Sequence, residues 1–327
     1  MTRRSLRVVI GFVLNLLAVS CVYAASSSPQ VARVGILTLT TAPSPLQEAF
    51  QQSLHNLGYV EGHNVAFEVR QAQGHDELLP ELAADLVRSQ VQVIFAAGDA
   101  AVRAAEHATR TIPIVMMVGG DPVGSGLITS LGHPGGNVTG VTALSPKLSV
   151  QRLALLKELV PSVSRVAVLF NPEDASKALD RQQLQVAARA MGVALHPVEV
   201  RSPGDFEPAF AAMRHEHDNA LITLGDAFTL FHRAEIVSLA AANRLPAIYE
   251  ARAWAEAGGL MAYGPSLSDM AQHAAIYVAK ILKGAKPAQL PVVQVTQAVF
   301  VINLKTAQAL GLAVPARLLS RASTVIR

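Results

Sequence analysis

The chain has 327 residues, of which 51% are apolar and only 16% charged, with 22 Gly and 18 Pro. That balance excludes a disordered chain, a coiled coil and a collagen-like fibre, and the length fits two domains of ordinary size. A single Cys excludes a disulfide scaffold and a Cys-based zinc finger. Removing Arg3, Arg4 and Arg7 from 27 basic residues leaves 24 against 24 acidic ones, so the charge excess belongs to the N-terminus. The body carries no bulk charge suited to nucleic acid.

Residues 1–24 read as a secretory signal peptide. Met1 to Arg7 is basic, Val8 to Val19 is apolar apart from Asn15, and small residues precede Ala25. The order predicts export and cleavage after Ala24, which leaves no Cys, as suits an oxidising compartment. Ala18-Val19-Ser20-Cys21 is a weak lipobox, so a lipid anchor at Cys21 is the alternative. The apolar run is too short for a comfortable transmembrane span.

Strands and helices then alternate. Val31 to Leu39 is an apolar run of strand length. Ser44-Pro45 is a helix start, with Leu46, Phe50, Leu54 and Leu57 at helical spacing and Gly58 as the stop. Asn64 to Arg70 alternates like a strand, and Leu78 to Val87 is helical. Val91 to Ala97 is a buried strand, Asp99 caps a helix to Ala108, and Ile112 to Val118 is the next strand. This is the β-α-β pattern of a parallel sheet covered on both faces.

A Gly-rich stretch, Gly119 to Gly140, leads to an extended segment at Val141 to Ser145, where a second series starts. Helices are expected at 148–159, 178–191, 206–213 and 234–243, and strands at 165–170, 193–200, 220–224 and 246–249. A strand at 260–263, a helix at 267–282 and a strand at 298–303 remain. They suggest that the chain returns to the first unit and crosses again. The expected fold is α/β, two doubly wound parallel-sheet lobes with a hinge and an interlobe cleft. The first lobe spans 31–141 and 264–289, the second 142–263 and 290–327, with hinges near Val141, Tyr263 and Pro291.

The chemistry is sparse. No nucleophile elbow, Walker A or dinucleotide fingerprint is present. His215-Glu216-His217-Asp218 resembles a metal cluster, but alternate residues on a helix do not face one ligand, so no metal is assigned. Polar residues do gather where strands end, the edge at which open α/β sheets bind ligands. They are Thr40, Thr41, Gly98, Asp99 and Asp121 in the first unit, Asn171 and Asp226 in the second, and Tyr263 near a crossing. Each has a plainer reading as a helix cap or turn residue.

Four stretches carry a resemblance. Gly119 to Leu127 (GGDPVGSGL), Pro134 to Val141 (PGGNVTGV), Ala257 to Pro265 (AGGLMAYGP) and Val301 to Leu312 (VINLKTAQALGL) resemble, in register, one group of bacterial ABC-transporter substrate-binding proteins, the tryptophan/tyrosine transport type. The resemblance runs from about Ala32 to the C-terminus. It implies a type I periplasmic binding fold and no reaction or cofactor. It further implies a small-molecule solute, an amino acid or aromatic-type compound, captured between the lobes. The implied partner is an ABC permease at the inner membrane, with the binding protein a monomer in the periplasm. By position, the cleft groups fall at Thr40, Thr41, Gly98 to Ala100, Asp121, Thr142, Asn171, Asp226 and Tyr263.

The chain departs from the family's pattern in having Gly98-Asp99 for Gly-Thr and Gly225-Asp226-Ala227 for Thr-Asp-Asn, so tryptophan itself is not assigned. A secreted α/β enzyme would need a nucleophile–base pair or metal, and none is evident. A ligand-sensing module on the same fold remains open, whereas the leader occupies the place of a DNA-binding headpiece.

Overall fold

Five short runs, each too brief for a helix and punctuated by Gly, Pro or Asn, form strands in the first part of the computed structural model, which describes residues 31–40, 44–143 and 146–327. The expected leader, Cys21 and Thr41 lie outside the described residues. One sheet takes β1 (Ala32–Thr38), β2 (Val65–Gln71), β3 (Val93–Ala97), β4 (Ile114–Val118) and β5 (Val138–Thr142). Between them run α1 (Pro45–Asn56), α2 (Leu79–Arg88) and α3 (Asp99–Ala108). Ser44 starts α1 by accepting the Gln47 amide at 3.1 Å, with Pro45 in the first turn.

The second series gives α4 (Pro146–Leu159), β6 (Arg165–Phe170), α5 (Ala178–Ala190), β7 (Ala194–Glu199), α6 (Phe206–His215) and β8 (Ala220–Leu224). There follow α7 (Ala227–Phe231), α8 (Arg233–Ala242), β9 (Ala247–Tyr249), α9 (Arg252–Glu256) and β10 (Met261–Pro265). The tail comprises α10 (Leu267–Leu282), β11 (Val293–Gln294), β12 (Ala298–Asn303), α11 (Leu304–Ala309), α12 (Ala316–Arg321) and β13 (Thr324–Ile326). The short α7, α9, α11 and α12 and strands β11 and β13 have too few residues to show a period, and the sequence reading lacks them.

The sheets order as β11-β5-β4-β3-β1-β2 and β13-β12-β10-β9-β8-β6-β7. All neighbours are parallel except β12, which runs antiparallel to β10. On the first sheet α1 and α10 cover one face through Phe50, Leu54, Ala274 and Val278, while α2 and α3 bury Ala83, Leu86 and Val102 on the other. On the second, α4 and α5 contribute Leu153, Leu156 and Leu184 to one face, and α6 and α8 contribute Phe210, Met213 and Ile236 to the other. Each lobe is therefore doubly wound, as strands buried on both faces require.

The chain crosses between lobes after β5, between β10 and α10, and after β11. The third crossing falls C-terminal to the expected Pro291. Val293 and Gln294 still pair with Val141 and Thr142, and Val292 donates to the Leu131 carbonyl, which holds 292–294 on the first sheet. Thr142 likewise closes β5 rather than opening the second lobe.

Candidate functional site

Both sheets reverse strand order at one point, β1/β3 in the first and β6/β8 in the second. Chain leaving those neighbours diverges to opposite faces and opens a crevice at the C-terminal ends. The two crevices face each other across a cavity of about 140 Å³. From the first lobe it is lined by Thr38 to Thr40, Leu46, Ala97 to Asp99, Met117 to Gly119, Leu267 and Met270. The second lobe contributes Arg152, Asp174, Ser176, Lys177, Gly225 to Ala227, Leu230, Glu250 and Ala251. The walls are mostly aliphatic and thioether, with no aromatic ring among the lining residues.

The lobes touch. The Asp121 amide donates to the Ser176 carbonyl at 3.3 Å. A Cβ on Gly120 would overlap the Ser176 side chain, and one on Gly98 would come within 3.1 Å of the Ala227 Cβ. Gly98 also has φ 97°, a left-handed conformation that a side chain disfavours.

Of the residues singled out from sequence, Thr40, Gly98, Asp99 and Asp226 line the cavity. Asp99 is not the helix cap expected of it. Gly98 holds that position, and Asp99 opens α3 with Oδ2 accepting Arg103 Nε at 2.6 Å. Its Oδ1 is buried without a hydrogen-bond partner. Burial, then the nearby Asp174 charge, push its pKa above the ordinary carboxylate value despite Arg103.

Asp226 combines both readings considered for it. It caps α7, accepting the Thr229 amide at 2.8 Å, and accepts Asn171 Nδ2 at 2.9 Å while facing the cavity. Its burial raises its pKa, and the Thr229 and Asn171 hydrogen bonds oppose that rise.

The remaining candidates do not line the cavity. Ala100 is exposed on the outer side of α3. Asp121 turns back to accept its own Val123 amide at 3.0 Å. Thr142 donates to the Gly120 carbonyl at 2.7 Å, fixing the Gly119-Gly120 edge. Asn171 orients Asp226 and accepts the Glu173 amide. The Tyr263 ring packs edge-on to Phe300, and only its carbonyl serves the site, accepting Arg152 Nη1 at 3.1 Å. In the His215 to Asp218 run, Glu216 and Asp218 pair with Arg165, and Asp218 also takes His196 at 2.6 Å.

Sequence reasoning missed Arg152, Asp174, Lys177 and Glu250. Arg152 is buried inside α4 and donates to Ser149 Oγ at 2.7 Å. Glu250 ends β9 and accepts Trp254 Nε1 and Thr223 Oγ1, both at 2.7 Å. Gly225 leaves it room, since a Cβ there would overlap the Glu250 carboxylate. A carboxylate one residue past a predicted strand was a usable signal for Glu250. An Arg in mid-helix carries none.

Residues 33–326 match the family of ABC transporter substrate binding proteins, and the chain belongs to that family. Its members bind solutes, and the chain is not an enzyme. A tyrosine-binding protein from Clostridioides difficile is 25% identical over 290 residues, 88% of this chain and 83% of that one. An ABC domain from Streptococcus pneumonia in complex with L-Trp superposes with a TM-score of 0.84 at 26% identity, covering 90% of this chain and 99% of that one. A conserved domain protein from Vibrio cholerae gives 0.84 at 29% identity, covering 90% and 100%. The architecture is the type I periplasmic binding fold, shared with an allitol-bound solute-binding protein from Agrobacterium vitis at TM-score 0.59 and 17% identity. Among the described residues no helix is long and apolar enough to cross a membrane.

Proposed function

We propose that this chain is the periplasmic solute-capturing component of an ABC importer. It is exported, loses its leader after Ala24, binds a small amino-acid-type or aromatic solute between its lobes as a monomer, and presents it to an inner-membrane permease. The observation that carries this reading is the cavity itself: two sheet edges meet around a largely apolar space that holds a few buried charges. An amphipathic solute suits it. Its apolar body packs on Met117, Leu230, Leu267 and Met270 rather than stacking on a ring. An ammonium or hydroxyl pairs with Asp226, aided by the free oxygen of Asp99. The tyrosine- and tryptophan-binding relatives support a solute of this size. Closure removes the solute from water, so every polar atom it buries needs a partner in the cleft.

The test is a thermal-shift screen of the mature chain against the L-amino acids and aromatic acids. A ligand that binds only the folded state raises the melting temperature by mass action, by about 2.7 kcal/mol of stability at a hundredfold excess over Kd. A rise with one or a few related compounds is expected. No rise across the panel contradicts the reading.

A further inference from the structure

Lys177 is the second lobe's most unusual cavity residue. It follows the Asn171-to-Ser176 turn, is 5% exposed, and lines the cavity. Its ammonium reaches the opposite lobe, lying 3.4 Å from where a Cβ on Gly119 would stand. Among the described residues it has no hydrogen-bond acceptor and no carboxylate within ion-pairing distance. Its three N–H donors face the cavity with no acceptor among the described residues, so a solute that enters can take them.

The turn that delivers Lys177 is ordered on both sides. Asp174 Oδ1 accepts the Ser176 amide at 3.0 Å and its hydroxyl at 2.5 Å, and the Ser176 carbonyl accepts the Asp121 amide across the cleft. The side chain is therefore brought to the first lobe by the same turn that contacts that lobe. Burial alone would push its pKa down. The charges of Asp174, Asp180 and Glu250 outweigh that and raise it, so the group is a cation at neutral pH.

We propose that Lys177 is the anchor for a carboxylate of the solute, and that this ion pair, completed across the closed cleft, selects acids over their uncharged or decarboxylated counterparts. The proposal rests on the solute-binding reading and narrows it. Asp99 and Asp226 at the same cavity suit an ammonium, so the pair of charges fits an amino-acid zwitterion.

The experiment titrates L-tyrosine and L-tryptophan, their carboxamides, and tyramine into the mature wild-type chain, Lys177→Met and Lys177→Arg by calorimetry. The melting temperature of each ligand-free variant is measured alongside. Wild type should prefer the free acids over the amides by about 10- to 150-fold, the size of one charge-assisted hydrogen bond. Lys177→Met should lose that preference and bind acid and amide alike. Lys177→Arg should keep most of it. The ligand-free Lys177→Met protein should melt lower than wild type, because Asp174, Asp180 and Glu250 lose a cation that they favour, so the acid-to-amide ratio of the folded protein, not its stability, reads the role of Lys177.

Equal acid affinity in wild type and Lys177→Met overturns the role of Lys177 while leaving solute capture intact. Tighter binding of amides or tyramine than of acids by wild type overturns the carboxylate assignment in the same way. Binding of no compound in any series overturns the amino-acid reading and this proposal with it. Should Lys177→Met fail to fold, Lys177→Gln carries the same comparison.

Discussion

The backbone amide of Asp121 donates to the carbonyl of Ser176 at 3.3 Å, and the two residues belong to opposite lobes. Gly120 stands beside this contact with no room for a side chain, because an added Cβ would meet both the Ser176 hydroxyl and its backbone. The contact between the lobes thus depends on a bare glycine, Gly120, just after β4. Gly120→Val should hold the lobes apart without disturbing either core. Solution scattering should then show a larger radius of gyration than wild type with saturating solute, and apparent affinity should fall about tenfold for each 1.4 kcal/mol that closure loses.

Asp226 serves α7 and the cavity at once, so its substitutions should separate the two roles. Asn remains a good N-cap and can keep accepting the Thr229 amide. Asp226→Asn should therefore keep the cap while losing the Asn171 hydrogen bond, and weaken a cationic or ammonium-bearing solute by about 10- to 150-fold. Asp226→Ala should also lower apo stability by about 0.5–2 kcal/mol, the usual effect of losing a cap. Calorimetric unfolding and titration on the same samples distinguish them.

Residues at strand ends were legible because a strand's C-terminus is fixed by its apolar run, which places Thr40, Gly98, Asp99 and Asp226 at the edge where ligands bind. Asp121, Asn171 and Tyr263 also lie at strand ends, yet they do not line the cavity. Position along the chain does not say whether a short side chain turns toward the cavity or back onto its own loop. Arg152 and Lys177 were invisible for a different reason. Each looks like a solvated helix or turn residue until the second lobe's helices and the opposite lobe bury it. The boundary near Pro291 was misread because two residues of pairing, Val293 and Gln294 on β5, lie below any periodicity signal.

Asp76 gives a pH dependence. It lies in a 3-10 turn, Asp76–Leu78, with Oδ1 buried and unpartnered. Burial, then the Asp226 charge, raise its pKa from 3.8 to about 6. The folded state therefore holds a proton that the unfolded chain has released between those values. Stability from this group falls as pH rises through that window and is flat above it. Asp99 and Asp226, also raised, act with the same sign. Asp76→Asn should raise the melting temperature at neutral pH and have little effect below about pH 4. Scans of both proteins across the window test this, and equal shifts at both ends would refute it.

Trp254 is fully buried, stacks on Tyr249 at 4.6 Å and holds the cavity residue Glu250 through its indole N–H. Trp254→Phe keeps the stack and drops the hydrogen bond, leaving a half-buried carboxylate oxygen without its donor. A loss of about 1–3 kcal/mol is expected, read from chemical denaturation.

The leader makes a prediction independent of the cleft. Mass spectrometry of the exported protein should find Ala25 at the N-terminus. A lipidated Cys21 would instead identify the anchor alternative.

The claim that the interlobe cavity captures the solute is tested most directly by titrating L-tyrosine and L-tryptophan into the mature wild-type chain and into Gly120→Val. The account predicts saturable one-to-one binding of at least one of them by wild type, and a loss of affinity in the variant despite an unchanged circular dichroism spectrum. Equal affinity in both proteins, or no binding by wild type, would contradict it.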